Sequence, residues 1–137
     1  MQCMGFVNFD IRELGGAALA SATLSFTLDK KWGKPEDVWP VLVLSELYWG
    51  PRPIEWSDSF QPARTIQNFS SANPSFSCSN DPLKTALQEA IDAGRTRFQL
   101  KINFWPAVRY SNFDWEWDGW SYRQKEIKLT VQYLPGP

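Results

Sequence analysis

Three stretches of the chain alternate apolar and polar residues with a period of two. Ala22, Leu24, Phe26 and Leu28 alternate with Thr23, Ser25 and Thr27. Phe98, Leu100, Ile102 and Phe104 alternate with Gln99, Lys101 and Asn103, and Ile127, Leu129, Val131 and Tyr133 with Lys128, Thr130 and Gln132. Each stretch predicts a strand with one face on a core and the other in water. Half-solvated strands of this kind usually pair antiparallel. Gly5 to Ile11 predicts a fourth strand, with Val7, Phe9 and Ile11 on one face. Trp39 to Leu44 is nearly all apolar, which predicts a central strand covered on both faces. Pro40 must then stand at its start, because proline cannot donate to a ladder.

One helix is expected. Asp81 is placed to cap it and Pro82 to occupy its first position. Leu83, Leu87, Ala90 and Ile91 make one apolar stripe, and Gly94 stands where the helix should end. The remainder reads as loop: a turn at Leu14–Ala17, a rigid connection at Gly50–Pro53, and a Ser-, Asn- and Pro-rich stretch from Ser57 to Ser79. No internal repeat is present. The pattern therefore predicts an all-β fold, an antiparallel, jelly-roll-like β-sandwich with one short helix. A single domain over residues 1–137 is expected, either lacking N-terminal strands or cut from a larger protein.

Composition narrows the function. Of 137 residues, 43% are apolar and 21% charged, which suits a folded domain with a core. Lysine plus arginine number 14 and aspartate plus glutamate 15. Such a balance makes no broad positive field, so no nucleic-acid partner is expected. Histidine is absent, which excludes Ser-His-Asp and Cys-His catalysis and His-ligated zinc. No apolar run approaches the ~18 residues of a membrane span, so no membrane insertion is expected. Met1 to Phe6 carries neither a basic nor an apolar leader segment. Cys3 and Cys78, the only cysteines, are too few for a disulfide framework and match no metal motif. They read either as two buried thiols or as one disulfide tying the N-terminal strand to the central loop.

Three segments together carry a resemblance. Val7-Asn8-Phe9-Asp10-Ile11-Arg12-Glu13-Leu14 is followed by Ala20-Ser21-Ala22-Thr23-Leu24. Leu47-Tyr48-Trp49 is followed by Ile54-Glu55-Trp56. Leu83-Lys84-Thr85-Ala86-Leu87 leads through Gly94 and Phe98-Gln99-Leu100 to the closing strand Ile127 to Tyr133. This set resembles the extracellular β-sandwich modules called DNRLRE or disaggregatase-related domains, which overlap a family of carbohydrate-binding modules. The resemblance covers most of Val7 to Tyr133. It implies a secreted, non-catalytic module attached to enzymes or cell-surface proteins. Two departures stand out. The family usually has further strands before the one that ends in Phe9-Asp10-Ile11, and the loop Trp105 to Trp120 holds more tryptophan than the family needs. The first departure leaves a sheet edge to be completed by a neighbouring chain, by a missing segment, or not at all.

The strongest compositional bias is aromatic: 8 Trp among 15% aromatic residues. In Phe113-Asp114-Trp115-Glu116-Trp117-Asp118-Gly119-Trp120, an extended backbone puts Phe113, Trp115 and Trp117 on one face and the three acids on the other. Indole packs well against the flat C–H face of a sugar ring, and carboxylates accept hydrogen bonds from hydroxyls. Trp115, Trp117, Trp120, Asp114 and Glu116 are therefore candidate ligand-binding residues, against the plainer reading of core rings and a solvated acidic face. Asp114, Glu116 and Asp118 are also candidates for a structural calcium site, since calcium needs only convergent oxygens. An EF-hand is not expected, because Lys125 stands at the twelfth position, where a bidentate Glu belongs, and no helix is predicted on either side. Apart from that calcium, no cofactor is expected.

Among the remaining tryptophans, Trp39 reads as core. Trp49 and Trp56 bracket Gly50–Pro53 and either clip that turn closed or form a platform. Trp32, among lysines in an expected loop, reads as exposed, and Trp105 ends a strand before Pro106. Trp32, Trp49 and Trp105 complete the candidate ligand set. Acids such as Glu46, Glu55 and Asp58 are present, but no spacing singles out the carboxylate pair ~5 to 9.5 Å apart that a glycosidase needs. Asn68-Phe69-Ser70 is an N-glycosylation sequon. The function expected is therefore non-catalytic: an extracellular or cell-surface module that binds a polysaccharide through exposed tryptophans and nearby acids. The alternative is a structural or assembly module that shares a strand with another chain.

Overall fold

The computed structural model describes residues 4–32, 41–70, 75–105, 119–122 and 127–134. They form two antiparallel sheets and one α-helix, an all-β sandwich as the alternation predicts. Four strands, β1 (Met4–Asp10), β6 (Arg97–Trp105), β3 (Val41–Glu46) and β4 (Arg64–Ser70), make the first sheet in that spatial order. The second is built on the 14-residue β2 (Leu19–Trp32). Along one side of β2 runs β5 (Ser75–Cys78). Along the other run β8 (Lys128–Tyr133), against the first half of β2, and β7 (Gly119–Tyr122), against the second.

Alternation along each strand sends one set of side chains between the sheets. Val7, Leu42, Leu44, Ile66, Phe98, Leu100 and Ile102 come from the first sheet. Ala22, Leu24, Phe26, Phe76 and Cys78 come from the second. Phe26 of β2 stacks on Phe76 of β5 with ring centroids 4.9 Å apart, and both meet Phe69 of β4 at close to right angles. This aromatic triad joins the two sheets. Cys78 is buried within the same core as a free thiol, and burial raises its pKa. Cys3 lies outside the described residues.

The helix, α1 (Asp81–Asp92), buries Leu83, Ala86, Leu87, Ala90 and Ile91 against β2, β4 and β6 and so bridges both sheets. Its cap is Asn80, not Asp81. The Asn80 Oδ1 accepts from Leu83 N at 2.9 Å, while its Nδ2 donates to the Ile66 carbonyl of β4 at 2.9 Å. An amide satisfies the helix end and the strand together, which a carboxylate cannot do. At the other end Gly94 adopts φ +73, and Arg95 N reaches Ala90 O at 3.0 Å, closing the helix as the glycine predicts. Gln88 straps α1 to the entry of β2: its Oε1 accepts from Leu19 N and its Nε2 donates to Ala17 O, both at 2.9 Å.

The central strand is β3, flanked by β6 and β4, as its apolar run predicts. Its two faces differ: Leu42 and Leu44 are buried, whereas Val41 and Val43 are half-buried. Trp39 and Pro40 lie outside the described residues. The stretch expected as loop from Ser57 to Ser79 instead supplies β4 and β5. Between Ser45↔Thr65 and Leu44↔Gln67 the register skips Ile66, a β-bulge. Ile66 is buried and Phe69 packs against the core. They stand three residues apart, so no period of two survives there.

Candidate functional site

The first sheet carries a second, smaller cluster on its outer face. Phe98 and Leu100 face the core, so Gln99 between them points outward. Phe6, Lys101 and Ser45 stand opposite one another across β1, β6 and β3 on that same side. The chain leaving β3 folds back over them. Leu47 N donates to Gln99 O at 3.1 Å, and Leu47 and Trp49 are both buried, at 2% and 8% exposure, outside the main core.

Gln99 itself is fully buried. Its Oε1 accepts from Trp49 N at 2.8 Å and Gly50 N at 3.0 Å, and its Nε2 donates to Gly50 O at 2.6 Å. A single carboxamide thus satisfies three main-chain groups that the turn would otherwise bury unpaired. Gly50 has φ +97, a conformation that other residues reach only with strain. The Trp49 ring meets Phe6 edge-on at 5.9 Å, and its Nε1 donates to Arg52 O at 3.2 Å.

Beyond Gly50 the loop is braced by an ion pair. The Arg52 Nη1 and Nη2 donate to the Asp58 carboxylate at 2.8 and 2.7 Å, and Glu55 N donates to the same group at 2.7 Å. These bonds, first those from Arg52 and then the one from the Glu55 backbone, hold the Asp58 carboxyl down at about 2. Pro51 and Pro53 fix their own φ angles on either side of Arg52. The result is a short 3₁₀ turn, Trp56–Phe60, with a braced entry. Trp56 stands at its start, 81% exposed.

Tyr48 and Ile54 in the same loop are also partly exposed. The Arg95 guanidinium lies 4.0 Å from the centre of the Tyr48 ring, a cation–π contact. Beside it, Arg64 bridges Glu46 and Glu89, at 2.9 Å to each. Burial pushes the Glu46 carboxyl up, against the pull of Arg64 and Arg95.

Against the candidates from sequence, the structure separates the two tryptophans that bracket the turn. Trp49, expected to bind ligand, is the buried clip of the turn, because its ring covers the outer face of the sheet. Trp56, which was not in that candidate set, is the exposed ring. A signal for this was present: Leu47 and Trp49 continue the outward-facing alternation of Val43 and Ser45 onto the sheet, while Trp56 lies between Glu55 and Ser57. Trp32, expected in a loop, is the last residue of β2, opposite Gly119. Trp120, expected in a loop, lies in β7 opposite Lys31, and Trp105 ends β6 opposite Val41. Trp115, Trp117, Asp114, Glu116 and Asp118 lie outside the described residues. Among the described residues no group of His, Cys, Asp and Glu side chains is arranged to hold a metal ion. No helix among them is long and apolar enough to cross a membrane.

In fold class the chain is an antiparallel β-sandwich. No protein-family model, no curated protein and no solved structure matches it.

Proposed function

We propose that this chain is a non-catalytic carbohydrate-binding module of an extracellular or cell-surface protein, which holds a polysaccharide against tryptophan rings with acids nearby. The observation that carries the reading is Trp56, an indole 81% exposed on a loop whose backbone is braced from below and behind. An exposed indole offers a flat apolar face on which the C–H face of a sugar ring can pack. A braced loop presents that surface with little ordering cost on binding. The likeness to the DNRLRE and disaggregatase-related modules points the same way. So does Phe113–Trp120, which adds further rings and the acids Asp114 and Glu116, with Asp118 completing a candidate calcium set. The test is titration of the intact protein with a panel of soluble polysaccharides, read by tryptophan fluorescence. A saturable change that Trp56→Ala removes and Trp49→Phe retains is expected. No response to any member of the panel would overturn the reading.

The second reading, a strand-sharing assembly module, is favoured by β1. Among the described residues this outermost strand pairs on one side only. Its register to β6 runs over seven residues without a bulge, and it contains neither lysine nor proline. Edges of that kind accept another strand. Light scattering tests it: an oligomer that Asn8→Lys dissociates is expected on this reading, and a monomer at all concentrations would sink it.

A further inference from the structure

We infer that β1 is the seam of a two-fold homodimer, in which β1 of a second copy lies antiparallel against it and the first sheet continues from one chain into the other. The inference rests on the strand-sharing reading above, names the partner, and leaves the carbohydrate reading as it stands.

Main-chain directions come first. Ile11 N donates to Thr96 O at 2.9 Å, one step beyond the Asp10↔Arg97 pair. On the far side of β6, Gln99 O accepts from Leu47 N, so the main chain of Gln99 turns away from Asn8, which stands opposite it. Bonding direction alternates residue by residue along an antiparallel strand. Gly5, Val7 and Phe9 therefore bond β6, whereas Phe6, Asn8 and Asp10 aim their N–H and C=O groups away from it. Among the described residues no strand receives those groups.

The other edges select the partner. β4 is bulged at Ile66 and begins with Arg64, β5 and β7 are each four residues long, and β8 begins with Lys128. Bulges, cations and shortness all discourage pairing. β1 has none of these devices, so the edge that suits it best among the described strands is that of its own copy.

Full overlap of Met4–Asp10 places the two-fold axis at Val7. Phe6 then stands opposite Asn8 of the second copy and Met4 opposite Asp10, and each such pair exchanges two main-chain bonds. Asp10, the only charged residue of the strand, is already held by Arg12 at 2.6 Å and meets no like charge across the seam. Gly5 stands opposite Phe9 of the second copy in a non-hydrogen-bonded pair, where side chains approach most closely. A Cβ at Gly5 would lie 3.9 Å from Ile102, an ordinary contact, so packing within its own chain does not demand a glycine there. The missing side chain instead leaves room for the half-buried Phe9 ring of the second copy to cross the backbone.

The intact protein tests this by light scattering and by amide hydrogen exchange read residue by residue. Association that stops at two chains is expected, because a two-fold contact closes on itself. Between about 0.02 and about 1 mM protein, exchange at Phe6 and Asn8 should slow at least about tenfold, while Val7 and Phe9 stay slow throughout. Asn8→Pro removes an N–H that the β6 ladder does not use, a change that edge strands tolerate, and should give a folded monomer. Asn8→Lys, which leaves the backbone intact, should do the same. Assemblies larger than a dimer that Asn8→Pro dissolves would overturn the two-fold pairing while leaving the strand-sharing reading intact. A dimer in which Phe6 and Asn8 exchange as fast as in the monomer would overturn the use of β1. Slow exchange at Asn8 in a monomer would show the edge covered within one chain and overturn both, as would a monomer at every concentration.

Discussion

The two buried regions of this sandwich are held by different forces. Between the sheets the contacts are apolar, with Phe26, Phe69 and Phe76 at the centre. On the outer face, beneath the 47–58 loop, a small apolar cluster of Leu47, Trp49 and Phe6 is joined by directional polar groups: one carboxamide, Gln99, and one ion pair, Arg52 with Asp58. Dispersion and water exclusion do not depend on direction, whereas hydrogen bonds do. The first region therefore secures the fold, and the second fixes where one short segment points. The difference teaches that the loop can be loosened without dissolving the sandwich, so its chemistry can be probed separately.

The largest effect should come from the core. Phe26→Ala removes a ring in contact with two others and is expected to cost about 4 kcal/mol, measured by urea unfolding. A loss below about 1 kcal/mol would show that the triad does not join the sheets. Gln99→Leu keeps volume but strips three main-chain partners. It should cost about 3 kcal/mol and shift the Trp49 emission to the red as water reaches the turn. If stability falls but the emission stays fixed, the carboxamide is not what seals the loop.

Acid provides a gentler break. The Asp58 carboxyl is held at about 2 against an ordinary value of 3.8, so its protonated form is disfavoured in the folded state. Its contribution is complete above about pH 4, declines as pH falls and is gone below 2. Glu46 runs the other way. Its folded value is raised, so its contribution is complete below the ordinary carboxylate range and is lost as pH rises through the folded value. Tryptophan fluorescence followed from pH 6 to 2 should report the loop opening, and Asp58→Asn should flatten that transition. The smallest change in stability is expected at Trp56: Trp56→Ala should move it by less than about 0.5 kcal/mol, because the residue is 81% exposed. The same variant should remove the fluorescence response to polysaccharide. A larger loss of stability would mean that Trp56 supports the loop and does not serve a ligand.

Much of the fold could be read from patterning because most strands keep their alternation throughout. β1, β3, β6, β8 and the first half of β2 each carry an uninterrupted apolar face. The rest was hidden for specific reasons. The bulge at Ile66 breaks the rhythm of β4, and β5 offers only Phe76 and Cys78 in four residues. β2 continues through Asp29-Lys30-Lys31, where polar residues conceal a strand that β7 completes. The helix start is displaced by one residue because Asn80 has a second obligation, to Ile66, that local sequence does not reveal. At the candidate site, composition pointed to tryptophan but could not say which ring is covered. That depends on Gln99, fifty residues beyond Trp49, which drew no notice as the polar half of an alternating strand.

The way Gln99 holds the turn has a consequence for how such a surface can diversify. Its carboxamide grips backbone atoms of Trp49 and Gly50 and reads no side chain beyond them. The tip between Pro53 and Asp58 takes no bond from that carboxamide, so a change in its side chains leaves the Gln99 anchor and the sandwich beneath as they are. A lineage could change what it recognises by altering a handful of codons, without ever having to re-solve the problem of folding.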